Sequence, residues 1–425
     1  MLAPIDRQPS CCPWHRQSLR QNTWQAHGEH RALAGFARYS HLAAHHARQL
    51  ARERRPWRPT QRWDQRRQPG YLSAASATAI LMSMGMPSLM RSLRRTLPPA
   101  LLMLATLGGA NAVEPGEETR FGSNPGNLRM FSYVPASLGP AAPLIVVLHG
   151  CKQRAASFAR DGGWLALADA AKLALLLPEQ KGLPRVFHDV YVFPWVVALF
   201  GANNQNACFN WFEPDDTVRD RGEALSIRQM IDALIARHAL DPSRVYIVGL
   251  SAGGAMAASM LAAYPERFAG GAIVAGVPYG CADSVSKALQ CMRPGLDQTP
   301  AEWARRVRLA GGEGPLPPVT IWHGEADNRV VPRNRQELVE QWTAVHGITE
   351  PPAHRRSSGP LIRELYKDSS GVTRVESVTV KGLEHAFPIR TDGTSSCGQP
   401  GDFVVSAEVC AAMEISRFWG LIHGN

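Results

Sequence analysis

The chain has 425 residues and a formal net charge of +10. That charge is localised: residues 1–112 hold sixteen Arg, no Lys and four acidic residues, whereas the rest of the chain holds 30 basic against 32 acidic residues. Beyond residue 112 the chain is therefore close to neutral, which excludes an electrostatic case for a nucleic-acid partner there.

Residues 1–85 are rich in Arg, His, Gln and Trp and show no sustained apolar periodicity. Stretches such as Arg52-Glu-Arg-Arg-Pro-Trp-Arg-Pro cannot bury an apolar face, so this part reads as a disordered basic extension. Residues 86–112 read as a signal peptide. Met90-Arg-Ser-Leu-Arg-Arg supplies the charged region, Leu97-Pro-Pro-Ala-Leu-Leu-Met-Leu-Ala-Thr-Leu the apolar one, and Ala110-Asn-Ala112 the cleavage site. The apolar run is too short for a membrane span. A signal so far inside the chain implies that translation starts at Met86 or Met90 and that 1–85 is an upstream extension; a genuine basic arm for a polyanion is the competing reading. Export implies a secreted, extracellular or periplasmic protein with oxidised cysteines. Beyond Cys11 and Cys12 six cysteines remain, and six allow fifteen pairings. Cys281 with Cys291 and Cys397 with Cys410 are attractive because each pair is local, which would leave Cys151 with Cys208. No Cys-x-x-Cys or His-x-x-x-His spacing occurs after the leader, so neither a metal nor another cofactor is expected.

Residues 113–425 are long enough for one large domain. Leu144-Ile-Val-Val-Leu-His is a continuous apolar run, suited to a strand covered on both faces. Leu173-Ala-Leu-Leu-Leu-Pro is a second strand. The long stretch 181–222 is dense in Phe187, Tyr191, Phe193, Trp195, Phe200, Phe209, Trp211 and Phe212, with Gly, Asn and Pro between. It reads as a lid or rim over the site, with ordinary core packing as the alternative for any single ring. Residues 224–238 have helical periodicity, Val245-Tyr-Ile-Val-Gly-Leu is a strand, and Ala252–Ala263 is a helix. Ala272-Ile-Val-Ala, Val319-Thr-Ile-Trp and Val375–Val380 continue the strands, and 404–421 reads as helical. Short apolar strands alternating with helices predict an α/β fold, a mostly parallel central sheet with helices on both faces.

The segment Gly249-Leu-Ser-Ala-Gly253 carries the sharpest chemical signal. A strand precedes it and a small-residue helix follows, the context of a nucleophile elbow that lifts Ser251 above the sheet. A tight turn with a capping Ser is the bland alternative. A serine nucleophile needs a base and an orienting carboxylate, here in the chain order Ser, acid, His. His385 follows the strand 375–380 and is the predicted base. His323 precedes the acid and His423 lies near the end of the sequence. Asp327, in the loop after strand 319–322, is the predicted acid, ahead of Glu325 and Glu384. The backbone N–H groups of Ala252 and Cys151 are the predicted oxyanion donors, with His149 as a buttress of the Cys151 loop. Trp211 and Trp322 are candidate walls of the substrate pocket.

Several segments, taken together, carry a resemblance. Leu148-His-Gly-Cys-Lys-Gln, Pro178-Glu-Gln, Asn206-Ala-Cys-Phe-Asn-Trp-Phe, Gly249-Leu-Ser-Ala-Gly-Gly-Ala-Met, Ala275-Gly-Val-Pro-Tyr-Gly and Ile321-Trp-His-Gly-x-x-Asp resemble the esterase/polyhydroxybutyrate depolymerase family, close to feruloyl and acetylxylan esterases. The resemblance covers nearly all of about 130–425. It implies an α/β-hydrolase fold, secretion, no metal, and hydrolysis of short-chain polyhydroxyalkanoate (3-hydroxybutyrate) esters, with Ser251, Asp327 and His385 at the triad positions. Phe209 departs from the family's usual Trp, and Gly382-Leu-Glu-His from its usual Gly-Met-x-His. With only 40 residues after His385 and no polymer-binding domain among them, oligomers or soluble esters join the solid polyester as expected substrates. The expected partner is thus a polyester or oligoester, met by a monomer with no nucleic acid and no membrane span in the mature form. The rival substrate class is feruloyl or acetyl esters of plant polysaccharide. A non-catalytic binding module is disfavoured by the intact Ser, Asp, His and elbow glycines.

Overall fold

A computed structural model describes residues 114–423, apart from 189, 191, 312, 313, 394 and 395. The expected extension 1–85 and signal peptide 86–112 lie outside the described residues. Twelve strands are described: β1 (Gly116–Glu118), β2 (Arg129–Tyr133), β3 (Leu144–Leu148), β4 (Ala174–Glu179), β5 (Val245–Leu250), β6 (Gly270–Val274), β7 (Val319–Gly324), β8 (His354–Ser358), β9 (Leu361–Lys367), β10 (Thr373–Val380), β11 (Phe387–Ile389) and β12 (Val404–Ser406). The helices that cover the sheet are α1 (Ala155–Asp161), α2 (Trp164–Ala171), α3 (Gly222–His238), α4 (Ala252–Ala263), α5 (Arg333–Val345) and α6 (Ala411–Phe418).

Ten strands form one sheet in the order β1-β2-β4-β3-β5-β6-β7-β10-β9-β8. The six central strands from β4 to β10 run parallel, and each edge is an antiparallel pair. This is the α/β-hydrolase architecture expected from the alternating strand and helix signals. Strand β3 shows why its sequence is apolar throughout. Leu144, Val146 and Leu148 face a core layer with α3, α4 and α5, while Ile145 and Val147 face a second layer with α1, α2 and α6. A strand covered on both faces has no solvent side on which to alternate.

Two expectations change. The segment 404–421 is not one helix. Val404-Val405-Ser406 pairs in parallel with Phe387–Ile389, and the helix begins at Ala411, beside the disulfide of Cys410 with Cys397. Two adjacent β-branched residues suit the extended pairing better than a helix. Among its described residues the stretch 181–222 contains the short α-helices Pro194–Leu199 and Pro214–Thr217 and a 3-10 turn at Arg185–Phe187, and its rings divide by role. Phe209 and Trp211 are buried, whereas Phe193, Trp195 and Phe200 are each more than half exposed. The edge strands β8 and β9 carried no readable signal: His354-Arg-Arg-Ser-Ser is polar and exposed along its whole length, and only its antiparallel partner makes it a strand.

Candidate active site

The site begins with a forced turn. Ser251 lies between β5 and α4 at φ +57°, ψ −118°, a conformation that costs a non-glycine residue of the order of 1–3 kcal/mol. The neighbouring glycines explain why the turn closes at all. A Cβ on Gly253 would lie 2.3 Å from the Leu148 carbonyl oxygen, and one on Gly249 would lie 2.0 Å from that of Gly253. The turn is tied to the adjacent strand by the Ser251 N–H, which donates to Val274 O at 2.9 Å.

His385 reaches this serine from the loop after β10. Its Nε2 is 2.8 Å from Ser251 Oγ and its Nδ1 is 2.7 Å from Asp327 Oδ2. An ionised carboxylate only accepts, so Nδ1 carries the proton and Nε2 is left to accept from the serine hydroxyl. Gly324 permits the approach, since a Cβ there would meet the Leu383 and Glu384 carbonyl oxygens at 2.2 and 2.5 Å. Asp327 is 3% exposed and fully engaged. Its Oδ1 accepts from the N–H groups of Arg329 and Val330 at 2.9 and 3.0 Å, and its Oδ2 also lies 3.4 Å from His323 Nε2. Burial pushes the Asp327 carboxyl up, but the hydrogen bonds and charges of His323 and His385 outweigh it and hold the group below the usual carboxylate range. Glu325 instead accepts from the Gly382 N–H at 3.1 Å. Glu384 makes no described hydrogen bond to the His385 ring, so neither glutamate takes the place of Asp327.

The expected oxyanion loop is held from below. His149 is fully buried, and burial holds its imidazole below the ordinary histidine pKa, hence neutral. It accepts from the Gln180 N–H through Nε2 at 3.1 Å, so its proton sits on Nδ1, which donates to Gly150 O at 2.7 Å. Gly150 O also accepts from the Gln153 N–H at 3.3 Å, and the Gly150 N–H donates to Gln153 Oε1 at 2.6 Å. Because a peptide is planar and trans, pinning Gly150 O sets the opposite direction of the Cys151 N–H. The loop lies against the serine, since a Cβ on Gly150 would be 3.5 Å from Ser251 Cβ. The Cys151–Cys208 disulfide and the Lys152 N–H to Asn206 O bond, 2.7 Å, tie it to the segment 206–212. That segment sets Phe209 under His149, ring centroids 5.0 Å apart, and packs Trp211 in one cluster with Ala252 and Val330.

The structure brings together Ser251, Asp327, His385, Cys151, Ala252 and Trp211. Trp322 is a correction. It is 1% exposed in the core on the α1, α2 and α6 side of the sheet, and its Nε1 donates to Thr320 Oγ1 at 2.9 Å. Period-two alternation along β7 points it away from the face that receives His323, so it does not line a pocket. Sequence reasoning did not find His323 as a second partner of Asp327, because the contact depends on the curl of the 325–330 loop. It also did not find Phe403, whose ring stands edge-on to His385 at 6.1 Å, after a turn with no local motif. All three disulfides join the cysteines that locality and remainder suggested. Among the described residues no cluster of His, Cys, Asp and Glu is arranged to hold a metal ion, and no helix is long and apolar enough to cross a membrane.

The sequence profile of the family described as Esterase PHB depolymerase matches residues 189–364. Poly(3-hydroxyalkanoate) depolymerase C of Paucimonas lemoignei is 41% identical over 333 residues, which cover 78% of this chain and 76% of that protein. Feruloyl esterase B of Neurospora crassa is 34% identical over 59% of this chain and 82% of its own length. The solved acetyl xylan esterase from Aspergillus awamori superposes with a TM-score of 0.58 at 20% identity, over 73% of this chain and 100% of that one, a likeness of fold. With this agreement in sequence and architecture, the chain belongs to the esterase PHB depolymerase family and is a carboxylic-ester hydrolase of the α/β-hydrolase fold.

Proposed function

We propose that the chain is a secreted serine esterase that hydrolyses short-chain polyhydroxyalkanoate esters, polymer or oligomer, through Ser251, His385 and Asp327. The observation that carries this reading is the continuous hydrogen-bonded path from Ser251 Oγ through His385 to Asp327 Oδ2. His385 Nε2 takes the serine proton as Oγ attacks the ester carbonyl. The N–H groups of Cys151 and Ala252 hold the oxyanion. His385 then protonates the leaving alcohol, and water releases the acyl group by the same path in reverse. Asp327 stays ionised and keeps the imidazole in the accepting tautomer. Trp211, packed beside Ala252, is the proposed wall of the substrate pocket.

The substrate class rests on the 41% identity to a protein named poly(3-hydroxyalkanoate) depolymerase, against 34% and less over shorter spans for those named feruloyl or acetylxylan esterase. Hydrolysis of feruloyl or acetyl esters of plant polysaccharide is the second reading, favoured by those same relatives. Secretion rests on the sequence pattern of 86–112 and on the three disulfides, which fit an oxidising compartment. The working form is then a monomeric domain over 113–425. The test is 3-hydroxybutyrate oligomer hydrolysis by wild type beside Ser251→Ala. Release of 3-hydroxybutyrate that falls at least about a thousandfold in the variant is the expected result. Cleavage of p-nitrophenyl acetate through Ser251 without cleavage of the oligomer would move the assignment to the carbohydrate esterases.

A further inference from the structure

The triad fixes on which side the leaving alcohol departs. His385 Nε2 is the atom that returns the proton, so the C–O bond breaks with its alcohol oxygen beside that nitrogen. His385 itself lines a cleft of about 830 Å³, together with Asn328, Arg329, Lys381, Glu384 and Phe403. The Arg329 guanidinium lies over the Phe403 ring, 5.2 Å from its centroid, and the same ring stands 6.1 Å from that of His385. One aromatic ring thus joins the general acid to a cation. Among the described residues Arg329 has no carboxylate partner within salt-bridge distance; its backbone N–H, not its guanidinium, serves Asp327. A guanidinium stacked on a ring keeps its edge donors free to grip a carboxylate with two parallel bonds.

We propose that Arg329, seated on Phe403, is a carboxylate subsite for the leaving group. This rests on the hydroxyalkanoate reading above and specifies which esters that site prefers. In an oligomer of 3-hydroxyacids the alcohol half of the last ester is itself a hydroxyacid with a free carboxylate. With the Phe403 ring 6.1 Å from the His385 ring and 5.2 Å from the guanidinium, Arg329 stands within about 11 Å of the general acid, which leaves room for no more than one or two such units. The ester C–O bond breaks, the Nε2 proton passes to the alcohol oxygen, and the hydroxyacid leaves with its carboxylate unchanged. An acetyl or feruloyl ester of a sugar offers no such anion on its alcohol side. Glu384 and Glu408 also line the cleft, and Lys381 Nζ is bonded to Ser357 Oγ at 3.0 Å. Net charge therefore does not make the subsite; the stacked guanidinium does.

The experiment compares kcat/KM for 3-hydroxybutyrate trimer as the free acid and as its methyl ester, in wild type, Arg329→Gln and Arg329→Lys. Each protein is read as the ratio of the two substrates, so a general loss of activity cancels. Wild type should favour the free acid by about 10- to 100-fold, chiefly through KM, the weight of a hydrogen bond to a charged group. Arg329→Gln should bring the ratio near one, and Arg329→Lys should restore part of it. Added salt should shrink the wild-type ratio by screening, which tests the idea without any variant. Equal use of both forms by wild type, or an unchanged ratio in Arg329→Gln, overturns the subsite and leaves the hydroxyalkanoate reading standing. If neither form is cleaved while p-nitrophenyl acetate is hydrolysed through Ser251, the hydroxyalkanoate reading has failed and the subsite falls with it.

Discussion

Replacing His149 by Phe separates the buttress of the oxyanion loop from the triad itself. Phenylalanine keeps the ring against Phe209 but removes the Nδ1–H that pins Gly150 O and the Nε2 that accepts from Gln180. The Gln180 N–H is then buried without an acceptor, which should cost about 1–3 kcal/mol of stability. Gly150 O retains only the Gln153 N–H at 3.3 Å, so the Cys151 N–H loses its main restraint in direction. Complete loss of an oxyanion donor lowers kcat by about 10²–10³; with the Cys151–Cys208 disulfide still in place, a fall of about 10- to 50-fold is expected. The assay is p-nitrophenyl acetate hydrolysis with kcat and KM resolved, alongside urea unfolding. The loss should fall on kcat, because the donor acts on charge that develops only in the transition state. A variant that shows the stability loss but keeps kcat within about twofold would refute the argument that this peptide bond supplies an oxyanion donor.

Other outcomes follow from the same geometry. Asp327→Asn places an amide where Nδ1–H now donates, favours the tautomer that cannot accept from Ser251, and should lower kcat by about 10⁴ at neutral pH with little change in the fold. The pH dependence has a definite sign. The folded-state pKa of Asp327 is depressed, so its contribution to stability is present above the unfolded carboxylate value near 3.9 and is lost as pH falls through the folded value. Wild type should accordingly gain urea resistance on going from about pH 3 to pH 5, and Asp327→Asn should gain less; equal gains would show that the carboxylate is not held as described. Removing both Cys151 and Cys208 as alanines should lower stability by about 2–4 kcal/mol. It should also slow p-nitrophenyl acetate hydrolysis, since the bridge clamps the oxyanion loop to the 206–212 segment. An unchanged rate would show that the remaining hydrogen bonds hold that loop alone.

Much of the site is legible in the linear sequence because its parts obey local rules. Gly249 and Gly253 are demanded by contacts of 2.0 and 2.3 Å within a few residues of the turn or on the adjoining strand, so the elbow leaves a short motif. Asp327 closes a turn on the N–H groups two and three residues ahead, a pattern that an Asp in a strand-to-helix loop announces. His385 is readable from its place after a strand end. Trp322 shows where such reading misleads: it sits next to His323 and five residues before the acid, but the face it takes is decided by its strand's alternation within the sheet.

The sequence by itself determined the alternation of buried strands and helices, the strand–turn–helix around Ser251, and the placing of Asp327 and His385 in loops after strand ends. Hydrophobic periodicity and turn sterics act within a few residues and so are written locally. Tertiary structure alone decided the rest: that His323 backs Asp327, that His149 pins Gly150 O while receiving the Gln180 N–H, and that Arg329 rests on Phe403 beside His385. The polar strand β8 likewise exists only because β9 offers its backbone. Some of these contacts join distant segments and others lie within one loop, but all depend on burial and direction set by the packing of the sheet and its loops, which the local run of residues does not encode.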